Sequence, residues 1–587
     1  MSELSDQSRG IIFVIIAILV LFVWSRYIAP PVPPAQKGNP TNQAAVPAQN
    51  NAPPAAGTQA VGSVATVKPA NITATHALAE KTVAIESPLY RVEFSNRGAV
   101  VKSWQLKKYL DDQKPPKPLD LVNADSSQQL GWPFSLTLQD SQLESEANSG
   151  LYEVTASKVI AKEMSGDSTP PALLSGANEI EVPAGLRFHF NDGHLDVTKK
   201  LTFNENYELT VETTVFVDGK AAPAGIAWRG GFGDKEVSNA AQLVTVFYDQ
   251  GGKLNLLQYK KLGASGNQSV PAVQAGPLNF GGIEDQFFAA AFIPDGIPDM
   301  SVWHWMQNHS VTVDGKGQDQ PVAQMSAGVN QPEPVRLRVY VGPKDLALLG
   351  KEQPSLEGLV NFGFVGVIGK PLLFVLQWLH RYISNYGWAI ITLTLIINLA
   401  MFPLKMKSWR SMQKMQKVGP EIRQIQDRYK KYSMSDPRKR QMNEEVMAVY
   451  QREGINPMGS CLPMVLQMPI WWALWRVLNG AIELRHAPWI LWIHDLSAKD
   501  PFYILPISMA ITMYLMTKMT PQTTVDPAQQ KMMGLMPLMF AAFFFTMSSG
   551  LNLYMFTSNL VGVAQQYYLN RTQPLPATGK FKKKKTA

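Results

Sequence analysis

The sequence predicts a multi-domain membrane protein: an α-helical six-span membrane part joined to a large antiparallel β-sandwich domain. Three observations lead there. The 587 residues divide near residue 355 into a polar stretch and an apolar, methionine-rich remainder. The polar stretch alternates with period two between turn signals, whereas the remainder holds several segments long enough to cross a hydrocarbon layer of about 30 Å. Positive charge, net +8, gathers in 405–452 and in the tail Lys580-Phe-Lys-Lys-Lys-Lys585. The single cysteine, Cys461, excludes an intramolecular disulfide and a cysteine-based zinc cluster.

Residues 1–28 read as a membrane anchor, because 11–24 is uninterrupted apolar sequence followed by Arg26 and Tyr27. A cleaved signal peptide is the competing reading, and Pro30-Pro31 directly after Ala29 suits cleavage poorly. Residues 29–80, rich in Pro, Ala, Gln, Asn and Thr, bury too little apolar surface to offset ordering entropy and form a flexible linker. From 81 to 350 short alternating runs such as Tyr90-Arg-Val-Glu-Phe94 and Val335-Arg-Leu-Arg-Val-Tyr-Val341 predict the sandwich. No nucleophile elbow, phosphate loop or metal-spaced histidines occur there, and His189 and His194 flank a hairpin turn at 191–193.

The helical part is ordered by its charges. Apolar candidates run over 359–379, 382–404, 459–481, 501–519, 532–548 and 551–569, and 405–455 carries thirteen lysines and arginines up to Arg452. Such a loop stays cytoplasmic, so one span alone separates it from an external β domain. The segment 355–380, with Gly363, Gly366, Gly369 and Lys370-Pro371, suits an interfacial amphipathic helix, which leaves 382–404 as transmembrane helix 2. Transmembrane helices 3–6 then fill 459–570 and return the basic tail 571–587 to the cytoplasm. Within the loop, apolar positions 422, 425 and 429, then 442, 446, 447 and 450, predict two amphipathic helices joined near Ser435-Asp-Pro437.

Polar residues inside the spans are the candidate site. Thr394 and Asn398 share a face of helix 2, and Trp472, Arg476 and Asn479 form a stripe on helix 3. Arginine at the centre of a span costs roughly 2.5–3.5 kcal/mol on insertion scales, so Arg476 marks either a wet pocket or a side chain snorkelling to the headgroups. Thr546, Asn552, Thr557, Ser558 and Asn559 read as helix–helix hydrogen bonding.

The motifs Gly454-Ile-Asn-Pro-Met-Gly-Ser-Cys-Leu-Pro-Met-Val-Leu-Gln-Met-Pro469, Glu483-Leu-Arg-His-Ala-Pro-Trp489, Leu491-Trp-Ile-His-Asp-Leu-Ser-Ala-Lys-Asp-Pro501 and Ser548-Ser-Gly-Leu-Asn-Leu-Tyr554 resemble the YidC membrane-protein insertase family. The resemblance is to the Gram-negative form with a large periplasmic domain, and it is strong over 355–570. It implies a five-helix core around a hydrophilic groove, an inner-membrane location with both termini cytoplasmic, and no enzyme activity or cofactor. It implies insertion and folding of nascent membrane proteins, alone or beside the Sec translocon, by a monomer in the phospholipid bilayer. Arg476, Asn398, Thr394 and Gln467 would line the groove. Met464, Met468, Trp472, Phe540 and Phe544 would form an apolar face along which segments leave into lipid. Lys582, Lys583, Lys584 and Lys585 would meet ribosomal RNA phosphates or lipid.

There is one departure. The family carries a groove arginine in the span before the basic hairpin, and alignment on Thr394 and Pro403 puts Asn398 there, while Arg476 stands where relatives have an aromatic residue. The expectation is that the groove's positive charge has moved to the neighbouring helix. Two other classes remain open on sequence: a polytopic transporter or channel with a periplasmic binding domain, and an anchored carbohydrate-binding module.

Overall fold

The computed structural model describes residues 75–572 apart from 159–171, 174–178, 236–242, 259–271, 275, 297–299, 314–315, 330–333, 433–435, 456–461, 521–533, 535–536, 538 and 541. The expected anchor, the linker up to residue 74, positions 532, 533, 535, 536, 538 and 541 of the span 532–548 and the tail with Lys582–Lys585 lie outside the described residues.

The period-two runs become strands because alternate side chains enter one core. Leu195–Phe203 buries residues 195, 197, 199, 201 and 203. Its partners Ala184–Asn191 and Glu208–Val217 pair with it antiparallel in an eleven-stranded sheet. Two further sheets have five strands each among the described residues, and pairing is antiparallel except between Thr82–Glu86 and Glu179–Glu181. The three sheets share one apolar core. Phe134 lies 6.2 Å from Phe94, 6.0 Å from Trp104 and 6.2 Å from Trp228, ring centre to ring centre. Phe94 in turn lies 5.9 Å from Phe203 of the large sheet.

His189 and His194 do flank a hairpin turn, each paired with a carboxylate: Asp196 at 3.1 Å and Asp218 at 2.6 Å. A charged group that the strand pattern conceals is Lys199, buried with Nζ donating to the carbonyls of Gly98, Ala99 and Phe134 at 2.9, 3.1 and 2.9 Å. Burial pushes its pKa down to about 7. Three carbonyl acceptors match the three protons of an ammonium, so the group is a structural tie between sheets.

At the exit from the β domain, the half-buried Glu352 has its pKa pushed up to about 7 by burial, then by its hydrogen bond to and repulsion from Glu208, with Arg338 opposing. The folded state therefore holds this proton where the unfolded chain, at 4.5, does not, so folding stability falls as pH rises from about 4.5 to 7. At this half-exposed position the effect is at most about 2 kcal/mol. Thermal melts of wild type and Glu352→Gln across that pH window should show the slope in the former and a flatter profile in the latter.

Six helices follow. After short turns at Glu357–Leu359 and Gly363–Val365, α1 (Gly366–Ile383) buries Gly369, Leu373, Leu376 and Leu379 and exposes Val367, Phe374, Trp378 and Tyr382. It ends three residues beyond the expected 355–380 segment, and Tyr382 belongs to it rather than to the next span. α2 (Tyr386–Arg428) starts at Asn385, whose Oδ1 accepts from the Trp388 N–H at 3.2 Å. It runs unbroken through Pro403 and Pro420 for 43 residues, about 65 Å at 1.5 Å rise. Segment 386–404 and the first hairpin arm are thus one continuous helix, with no break at 404. Among the described residues, 363–383 and α2 are long and apolar enough to cross a membrane by length and composition.

α3 (Pro437–Arg452), capped by Asp436, folds back on α2. Ile422, Ile425 and Val449 are buried between them, and Arg428–Glu445 and Arg452–Glu421 pair at 2.7 Å across the hairpin. Val449 is the buried member that the apolar pattern of this arm missed. α4 (Leu462–Gly480), α5 (Ile504–Met519) and α6 (Ser549–Thr572) complete the bundle, with α6 packed on both α2 and α5.

Candidate functional site

Thr394 and Asn398 face inward, both buried. The Thr394 hydroxyl is spent locally, donating to the Ile390 carbonyl at 2.7 Å. Asn398 reaches outward: its Nδ2 donates to the Thr394 carbonyl at 2.9 Å and to Ser558 Oγ of α6 at 3.3 Å. Its Oδ1 accepts from Lys405 Nζ at 2.8 Å, and the same ammonium donates to Gln565 Oε1 at 3.0 Å. Gln565 Nε2 donates back to the Asn398 carbonyl at 3.3 Å. Positions 398 and 405, and 558 and 565, are seven apart, two helical turns, so each pair lies on one face. The contact between α2 and α6 is thereby polar through several turns.

The polar contacts extend to a third helix. Gln467 Nε2 of α4 donates to the Tyr554 hydroxyl at 3.1 Å, and Tyr554 stands one helical turn before Ser558 on α6. A polar seam thus runs across α4, α6 and α2, hydrogen-bonded from Gln467 to Tyr554 and, one turn on, from Ser558 through Asn398 and Lys405 to Gln565. Its one charge is Lys405, and both partners that hold the ammonium are neutral amides. Among the described residues no carboxylate pairs with it. A cation solvated by amides and left without a counter-ion can still receive an anionic group.

Of the expected groove residues, Thr394, Asn398 and Gln467 come together here and Arg476 does not. Its side chain is exposed, with the guanidinium 5.5 Å from the Trp475 ring centre, and it makes no hydrogen bond or ion pair among the described residues. The cation that the structure places beside Asn398 is Lys405, further along the same helix. Sequence reading had assigned Lys405 to the basic loop because it follows the apolar run; its spacing of seven from Asn398 was the available signal. Ser558 had been read as helix packing and Gln565 passed over.

The apolar face divides as well. Met468 and Trp472 are half-buried, with Trp472 edge-on to the exposed Phe364 at 5.5 Å. Phe540 is partly exposed, whereas Phe544 is fully buried in the apolar cluster that also holds Leu474, Val477 and Leu551, so it belongs to the bundle core. The side chain of Met464 lies outside the described residues. No group of three or more His, Cys, Asp or Glu is placed to hold a metal among the described residues.

Helices with apolar outer faces, a hydrogen-bonded polar seam between them and an attached domain of antiparallel sheets define a polytopic membrane protein that offers polar surface within its bundle. Comparison with known proteins agrees. The family described as 60Kd inner membrane protein matches residues 378–576, and the YidC periplasmic domain matches 82–375. The membrane protein insertase YidC of Wolinella succinogenes is 32% identical over 586 residues, covering 97% of this chain and 96% of that protein. Its counterpart in Syntrophobacter fumaroxidans is 32% identical, covering 96% and 100%. That of Methylobacillus flagellatus is 30% identical, covering 98% and 99%. The chain belongs to the YidC membrane protein insertase family.

Proposed function

We propose that this protein inserts and folds inner-membrane proteins by receiving the hydrophilic part of an incoming chain along the Gln467–Lys405 seam while apolar segments leave into lipid. The observation that carries the reading is the uncompensated Lys405 inside a bundle whose outer faces are apolar. Leu399 on α2 and Ile511 on α5 are 72% and 55% exposed, as lipid-facing residues are. Polar walls lower the desolvation cost of moving a hydrophilic stretch, and no covalent step is required. The positive charge at Lys405 would hold acidic side chains or a terminal carboxylate of the client during transit.

The rest of the assignment follows the family and the charge pattern: six spans with both termini cytoplasmic, α1 at the outer interface, and the α2–α3 hairpin receiving clients. The chain acts as a monomer, alone or beside the Sec translocon, with the tail lysines assisting ribosome contact. The test is site-specific photocrosslinking to a stalled nascent membrane protein in inner-membrane vesicles. Probes at Asn398 and Gln467 should crosslink strongly, and a probe at Arg476 weakly. Crosslinks from Arg476 alone would remove the seam from the pathway.

A further inference from the structure

The motif around Glu483–Trp489 plays no part in the seam, and the structure gives it a different surface to fill. α4 ends at Gly480, and the chain turns through Ile482–Leu484. Within that turn the side chains part company. Leu484 packs among the membrane helices, whereas Ile482, 4% exposed, belongs to the core of the β domain. Next, Arg485 places a guanidinium nitrogen 2.6 Å from Asp234 Oδ2 of the β domain, with side-chain exposures of 3% and 2%. The guanidinium also lies 5.6 Å from the Phe288 ring centre.

The socket is built for this contact. Asp285 accepts the Asp234 N–H at 2.8 Å on one oxygen, and the Phe287 and Phe288 N–H groups at 2.8 and 2.6 Å on the other. One carboxylate thus fixes both walls around the arginine. Gly233, at φ +90°, brings the chain so close that an added Cβ would stand 2.0 Å from Asp285 Oδ2. Gln286, from the same turn, donates to the Asn479 carbonyl at 2.7 Å, one of the carbonyls that a helix C-terminus leaves without an intrahelical partner. At the rim, His486 and Asp112 meet at 2.8 Å.

We propose that residues 481–487 are a docking plug for the β domain, and that the β domain is a brace that fixes the outer end of α4. Two opposite charges, each buried and each contributed by a different domain, meet in the docked state. Ile482 likewise finds its core only there. With its outer end held, α4 keeps its freedom at the inner half, where Pro469 interrupts the backbone ladder and Gln467 joins the seam.

The test uses the full-length protein in native membranes, in a Cys461→Ser background carrying Asp112→Cys and His486→Cys. A short bismaleimide reads docking as crosslink yield, with no client involved. Arg485→Met and Asp234→Asn should each lower the yield at least fivefold, because each removes one half of the buried ion pair. The double variant should recover most of the yield, the non-additivity expected of a coupled pair. Ile482→Ser, which strands no charge, should lower it as well and carries the test if a charge variant does not accumulate. Unchanged yield in Arg485→Met and Ile482→Ser would overturn the plug, as would a double variant no better than the two single losses combined. Neither result bears on whether clients use the seam.

Discussion

Lys405→Met should lower client insertion at least tenfold while the protein stays folded, and Arg476→Met should change it by less than twofold. The substitution removes the seam's one charge and leaves Asn398 Oδ1 and Gln565 Oε1 without their donor. Each unsatisfied acceptor costs about 1–3 kcal/mol where water cannot replace the donor. Two further variants separate charge from packing. Lys405→Arg keeps the cation and should retain most activity. Asn398→Asp keeps the shape of the seam but supplies a carboxylate beside the ammonium, so an internal ion pair occupies the charge meant for the client. Its activity should fall nearly as far as that of Lys405→Met. The measurement is protease protection of a newly synthesised client in vesicles, with protein levels matched by immunoblot. Full activity of Asn398→Asp would show that an open cation is not required.

Asp500→Ala should be the most destabilising single change in the loop that leads into α5, lowering stability by about 3 kcal/mol in micelles. Asp500 is buried and gathers three donors: the Trp492 indole at 3.1 Å and the Phe502 N–H at 3.0 Å on Oδ1, and the Leu505 N–H at 2.7 Å on Oδ2. The last of these lies in the first turn of α5, so the same carboxylate serves as its cap. Losing a cap costs about 0.5–2 kcal/mol and stranding a buried donor about 1–3 kcal/mol. Asp500→Asn keeps one oxygen and should fall between wild type and alanine. Thermal unfolding followed by tryptophan fluorescence ranks the three. Equal melting of wild type and Asp500→Ala would mean that the loop 490–503 repacks around the loss.

Much of this was legible before any coordinates. Alternation in Leu195–Phe203 and in Val335–Pro343 is local, so sequence alone marks these as strands. Asp436 before Pro437 likewise announces the start of α3, since a capping carboxylate and a proline at the first helical position act within one turn. The hairpin core at Ile422 and Ile425 followed from helical period. Where the reading went astray, the deciding contact was distant in sequence. Lys405 follows an apolar run and looks like the first residue of a basic loop. Its neighbours Asn398 and Gln565 are 7 and 160 positions away. Arg476 drew notice because arginine is rare in a span, and its guanidinium lies 5.5 Å from the Trp475 ring centre rather than beside Asn398. Phe544 satisfied an apolar pattern that could not say which side was core.

By itself, then, the sequence determined the alternating strands, the amphipathic and apolar helical segments and, through long ordered motifs, the family. Those properties depend on side chains within a few residues of one another. Tertiary structure alone decided that α2 runs unbroken from the bundle into the hairpin, that Lys405 rather than Arg476 is the cation of the seam, and that Arg485 meets Asp234 across 251 positions. The physical reason is the same in each case. Whether a charge or an amide is a surface group or a buried one depends on which distant residues cover it, and the local pattern carries no record of them.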